Sequence, residues 1–307
     1  MLNVEGSLKV DNCKITGERQ GVLVRAGEAE INNSTVINTG EYSDGNKYDD
    51  SNWGSGNEVP VAAIVVGSHN GNYLDDAIVT VIDTVIESQK DGIPAIYVDA
   101  NEKYSSDLVL TGIKTQIDGE IVKKDQQQAD ITITGGTFSD TSAEAYVPKG
   151  TELKKNGETG KYELAPAGDA VAQVGNAGYK DLQEAINRAG ENDTVRLLQD
   201  YRADEAITVA ESKSIVLELN GKKLTLGGQG NYRDDVITSA EYSSGMINKG
   251  TLTIQNGEII VDGKKYGIVN TGALTIASDA RISDNASSYA GYKLVVNFGG
   301  KVVTSGE

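Results

Sequence analysis

The pentapeptide Gly250-Thr-Leu-Thr-Ile254 returns 22 residues later as Gly272-Ala-Leu-Thr-Ile276. Near the start, Gly6-Ser-Leu-Lys-Val10 is answered in the same way by Gly27-Glu-Ala-Glu-Ile31. Each piece is a short alternating strand introduced by Gly, so one face is apolar and the other polar. Segments of the same kind recur at 62–66, 77–82, 95–98, 107–110 and 130–134, with Gly, Asn or Asp at the corners. A repeat of about 20 to 25 residues cannot bury its apolar face alone and must stack on its neighbours. The expected fold is all-β, a parallel β-helix (solenoid) whose coils lie about 4.8 Å apart. Inward Ile, Val and Leu then form continuous columns, and corner loops can lengthen without disturbing them. An antiparallel sandwich is the runner-up, but hairpin signals are few and the strands are short and alike.

Two segments break the rhythm. Residues 179–189 place Leu182, Ala185, Ile186 and Ala189 at helical spacing, with Gly190 in the terminating position. Such a helix covers the open edge of a first coil. Residues 145–164 read as a hairpin around Asn156-Gly157 that closes a last coil. The expected organisation is therefore two partial modules. Residues 1–168 carry the C-terminal part of one with its closing hairpin, and residues 169–307 the N-terminal part of a second with its opening helix. The chain begins and ends within a coil, as a piece cut out of phase from a longer array would. Uncapped coils predict weak head-to-tail self-association.

The segments Tyr179-Lys-Asp-Leu-Gln-Glu-Ala-Ile186, Asp193-Thr-Val-Arg-Leu-Leu-Gln-Asp200, Ile215-Val-Leu-Glu-Leu-Asn-Gly-Lys-Lys-Leu-Thr225 and Ile133-Thr-Gly-Gly-Thr-Phe-Ser139 add a family likeness. With the coils around them, they resemble the pectate-lyase-like, right-handed β-helix modules of large repeat-containing surface proteins of gut Firmicutes. The resemblance implies a secreted, wall-attached bacterial adhesin at the cell surface. It also implies a host ligand, either a glycan or a glycoprotein, immunoglobulins among them. Signal and anchor are expected outside this sequence.

Charge narrows the partners. With 45 acidic against 28 basic residues the net charge is -17, and no basic patch could follow a phosphate backbone, so nucleic acid is not an expected partner. No apolar run reaches the roughly 18 to 20 residues of a membrane span, so membrane insertion is not expected either. The single cysteine, Cys13, excludes an internal disulfide and leaves the compartment open. It aligns with Gly257 at a corner where a small residue suffices.

An enzyme of this architecture, a polysaccharide lyase or glycoside hydrolase, is the alternative function. Its candidates are the pairs Asp49-Asp50, Asp75-Asp76 and Asp234-Asp235. Adjacent strand residues point to opposite faces, however, and the Asn-Thr-Asp, Gly-His-Gly and Arg-Ile-Lys segments of polygalacturonase-like enzymes are missing. Neither the D-x-[DN]-x-[DN]-G spacing nor the G-G-x-G-x-D repeat of calcium sites occurs, and one His without partners makes no zinc site. No catalysis, cofactor or metal is expected.

The remaining signal is aromatic, 14 Tyr against 2 Phe and 1 Trp. It concentrates where the repeat is interrupted, in insertions 40–60, 67–76 and 227–245. These hold Tyr42, Tyr48, Asp49, Asp50, Trp53, His69, Tyr73, Asp75, Asp76, Tyr232, Asp234, Asp235 and Tyr242. Tyr and Trp among Asp, Ser, Asn and Gly combine rigid amphipathic anchors with adaptable polar groups, the make-up of a protein or glycan contact surface. Two of the insertions share a motif, Gly-Asn-Tyr-Leu-Asp-Asp at 71–76 and Gly-Asn-Tyr-Arg-Asp-Asp at 230–235. All thirteen residues are expected to bind ligand.

Overall fold

The computed structural model describes residues 2, 5–40, 60–67, 75–100, 102–124, 128–233, 241–263, 266–285 and 293–304, with backbone alone at 233, 241 and 242. Among the described residues the protein is all-β, with parallel sheets and one α-helix. Its chain divides into two compact units, Met1–Ala165 and Pro166–Glu307.

In the first unit, successive strands are dealt in turn to three sheets. The first holds Ser7–Asp11, Gly27–Asn32, Ala77–Ile82, Ser106–Thr111 and Ala129–Ile133. Lys14–Gly17, Thr35–Asn38, Val85–Ser88, Gln116–Asp118 and Thr137–Phe138 make the second. Gln20–Val24, Ala62–Val66, Ile96–Val98 and Ile121–Lys123 make the third. Pairing among these strands is parallel throughout. Its offset is the sequence repeat, since Ser7 faces Glu28 and, in the other unit, Thr251 faces Ala273.

In-register pairing makes columns of like side chains. Val10, Ile31, Val81, Leu110 and Ile133 line up across the first sheet, and Val36, Ile86, Ile117 and Phe138 across the second; all are buried. Each such Ile or Leu contributes roughly 1.5–3 kcal/mol of transfer free energy. The third sheet is dry on both faces. Val22, Ile64, Ile96 and Ile121 line one face, while Leu23, Val65 and Tyr97 on the other are at most 6% exposed.

Corners are made by short polar residues with left-handed backbone. Asn12, Asn33, Asp83, Asn220 and Asn256 have φ between 46° and 55°, a region open to Asn and Asp at modest cost. The next residue is small and stacks on its counterpart one repeat away. The Cys13 N–H donates to Ser34 Oγ at 3.1 Å, and the Ser34 N–H to Thr84 Oγ1 at 3.2 Å. Cys13 is thus exposed and joins the Ser34–Thr84 hydroxyl stack through its backbone N–H alone, and its equivalence to Gly257 is matched by Asn12 and Asn256 before them.

The hairpin Thr151–Lys155 and Tyr162–Pro166 extends the second sheet, with Tyr162–Pro166 antiparallel to Thr137–Phe138. Lys161 anchors it, 2.9 Å from the half-buried Asp118 carboxylate.

The second unit repeats the three-sheet rotation. Its first sheet runs Asp193–Leu197, Ser214–Glu218, Thr251–Gln255, Ala273–Ile276, Lys301–Thr304, preceded by the antiparallel strands Ala172–Val174 and Ala177–Tyr179. Tyr201–Ala203, Lys223–Leu226, Gly257–Val261 and Ala280–Asp284 form the second; Ile207–Val209, Glu241–Asn248, Tyr266–Asn270 and Val295–Asn297 the third.

The α-helix is Leu182–Arg188, shorter than the expected 179–189. Asp181 takes the N-cap, its carboxylate accepting the Glu184 N–H at 2.8 Å, and this leaves Tyr179 to the preceding strand. Leu182, Ala185, Ile186 and Ala189 are all buried, as their spacing predicts. Gln183 joins the helix to the third sheet: its amide donates to the Thr208 carbonyl at 2.8 Å and accepts the Thr208 N–H at 2.7 Å. One side chain thereby satisfies two edge groups of a strand.

Candidate functional site

Of the residues expected to bind, Tyr42, Tyr48, Asp49, Asp50, Trp53, His69, Tyr73, Asp234 and Asp235 lie outside the described residues. Asp75 and Asp76 stand immediately before the strand Ala77–Ile82. Asp75 Oδ1 accepts the Asp76 N–H at 2.9 Å, and Asp76 Oδ1 accepts the Ser105 N–H at 2.6 Å. Both carboxylates therefore organise the backbone around the start of that strand.

They also border an acidic patch that the sequence did not disclose. Asp107 and Asp130 are register partners on adjacent strands of the first sheet, about 4.8 Å apart as parallel neighbours are. Burial, and then the charges of Asp130 and Asp76, push the Asp107 carboxyl above its ordinary value, partly offset by a hydrogen bond from Ser105. Nothing in the local sequence reveals this juxtaposition, because it needs the register across two repeats.

In the second unit, the insertion 227–245 is in part a hairpin rather than a loop. Gly230–Arg233 pairs antiparallel with Glu241–Asn248, and Tyr232 stands directly opposite Tyr242. The Tyr232 ring stacks on Phe298, with centroids 5.5 Å apart and planes 28° from parallel. Two expected residues are thus neighbours on one hairpin, and Phe298 joins them from the far end of the unit. As one of only two Phe in the chain, it was the available sequence signal.

The base of this hairpin adjoins a cleft of about 580 Å³. Asp181 and Gln183 line it from the helix, Tyr201 and Arg202 from the second sheet, and Asp204 and Glu205 from the turn that follows. The Tyr201 hydroxyl donates to Asp181 Oδ2 at 3.0 Å, and burial together with this carboxylate raises the phenol above its ordinary value. Arg202 is held by Asp262 at 2.6 Å and Asp204 at 3.2 Å. Gly227 and Gly228 pass so close that a Cβ would stand 2.6 Å from the Arg202 guanidinium and 2.3 Å from the Glu205 backbone. Close approach of backbone to a charged wall explains the glycine run ahead of Tyr232.

Among the described residues no group of three His, Cys, Asp or Glu is placed to hold a metal ion, and no helix is long and apolar enough to cross a membrane. No family model, curated protein or solved structure matches the chain.

Proposed function

We propose that both units are right-handed parallel β-helices and that the chain is a non-enzymatic segment of a bacterial surface adhesin, of the pectate-lyase-like type its sequence resembles. Support for the architecture comes from the strict rotation of strands among three parallel sheets, each in register with the next repeat. A right-handed sense is the one that strand twist favours. The ligand is a host glycoprotein, immunoglobulin among the candidates, or a host glycan. The observation that carries the binding reading is the aromatic ledge on the second unit's hairpin, where Tyr232 stacks on Phe298 opposite Tyr242. Stacked rings present large, rigid contact area at little ordering cost.

The test is a binding screen of the whole chain against purified immunoglobulins and host glycans, followed by Tyr232→Ala and Trp53→Ala. A central anchor should lose at least about 2 kcal/mol of affinity on truncation. Unchanged affinity in both variants would remove the aromatic insertions from the contact.

A carbohydrate-active enzyme remains the alternative reading, favoured by the Asp107–Asp130 juxtaposition, since paired carboxylates, here with the Asp107 carboxyl raised by burial, are the equipment of glycoside hydrolysis. Turnover of polyuronides or host glycans that is abolished by Asp107→Asn or Asp75→Asn would establish it.

A further inference from the structure

We propose that the cleft of the second unit is a binding site for a primary ammonium group. This goes beyond the adhesin reading and does not depend on it, because the cleft need not be the surface that meets a host protein.

Charge gives the first reason. Three carboxylates line the cleft against one guanidinium, and that guanidinium is already matched by Asp204 and by Asp262. An anionic ligand would therefore meet repulsion with no free cation to offset it. The carboxylates, in turn, differ in availability. Asp181 is occupied at both oxygens, by the Glu184 N–H and the Tyr201 hydroxyl, and Asp204 Oδ1 is occupied by Arg202. Glu205 is exposed and, among the described residues, holds no hydrogen bond or ion pair. The open acceptor is thus Glu205, with Asp204 beside it.

Shape and ring chemistry give the second. The lining includes Tyr201, half-buried and fixed by its bond to Asp181, so that an aromatic wall is present without further ordering. An ammonium beside an aromatic wall and an open carboxylate gains both cation–π and charge-assisted hydrogen bonding, which a neutral hydroxyl does not. Arg202 forms a fixed floor rather than a competitor, pinned between its carboxylates and the backbone of Gly227. The same chemistry can arrive on a free diamine, on a lysine side chain or on an amino sugar.

The experiment is an NMR titration of the whole chain with putrescine, Nα-acetyl-lysine methylamide, glucosamine and N-acetylglucosamine. The first three carry the charge on different frames, and the last is the neutral partner of the third. Expected are saturable shifts confined to the amides of residues 201–207 with the three amines and none with N-acetylglucosamine. Glu205→Gln should weaken amine binding by about fivefold or more, while Tyr201→Phe retains the ring and most of the affinity. Both positions can be altered without disturbing the core, and an unchanged thermal midpoint confirms it. Equal binding of N-acetylglucosamine would overturn the proposal in favour of a neutral sugar subsite. Diffuse, unsaturated shifts, or shifts unaltered by Glu205→Gln, would overturn it as general screening of an acidic protein.

Discussion

Tyr179 is fully buried and its hydroxyl has no hydrogen-bond partner among the described residues; burial pushes the phenol up to about 12. A buried hydroxyl without a partner costs about 1–3 kcal/mol of desolvation. Tyr179→Phe, which keeps the ring, is therefore expected to raise the denaturant midpoint, with a gain of about 1 kcal/mol, and a loss of stability would mean that the hydroxyl is satisfied by water. Asp107 gives the pH counterpart. Its carboxyl is raised in the folded protein, so the native state holds this proton more tightly than the unfolded chain does. Stability from this group is fully present below its unfolded value and is lost as pH rises through the folded one. Asp107→Asn should accordingly stabilise the protein at neutral pH, with the gain shrinking as pH falls through the raised folded value and vanishing below the unfolded one near about 4. Urea melts of both proteins across that range would check it. At this scale, sequence and structure agree on Asn and Asp at corners, because left-handed backbone is a local property. They part at Asp107 and Asp130, whose relation exists only across a repeat.

Glycine at the start of each repeated strand is the clearest case of an element-scale cause. A Cβ on Gly272 would stand 2.0 Å from the Gly250 carbonyl oxygen, and one on Gly300 would stand 2.3 Å from that of Gly272, so the repeat records a line of close backbone contacts. Beside it runs an amide ladder. Asn248 donates to Asn270 Oδ1 at 2.7 Å, and Asn270 donates to Asn297 Oδ1 at 2.7 Å, with Asn248 and Asn270 fully buried. Asn270→Ala would leave both the Asn248 donor and the Asn297 acceptor without this partner, and a loss of about 1–3 kcal/mol is expected from thermal or urea unfolding. Strand positions and the helix face were legible because alternation and 3.6-residue spacing are written in single segments. The helix start was not, since the N-cap role of Asp181 competes with the apolar pattern that includes Tyr179. The strand pairing of Gly230–Arg233 with Glu241–Asn248 falls within what the sequence offers only as the insertion 227–245, because the segment between the strands lacks the Asn-Gly or Asp-Gly signature.

Across the whole molecule, 17 uncompensated negative charges act on every rung. Self-repulsion of this size opposes compaction and is screened by salt, with a Debye length falling from about 30 Å at 0.01 M to about 10 Å at 0.1 M. The thermal midpoint should therefore rise between those concentrations, most steeply at neutral pH, and an unchanged midpoint would mean that ion pairs such as Lys9–Glu30 already balance the surface. The cleft was the least legible feature. Residues 181–183 and 201–207 meet only after the helix has docked, and no motif announces that meeting.

One consequence follows from pairing that holds its register whatever the corners contain. Gly27 pairs with Ala77 across more than twice the spacing that separates Ser7 from Glu28, yet the alternating columns continue unbroken. Closing a loop of doubled length costs only about 0.6 kcal/mol. Under selection, a lineage of such proteins can exchange, lengthen or discard its corner segments while the scaffold stays constant, so that surface chemistry drifts quickly on a frame that hardly changes.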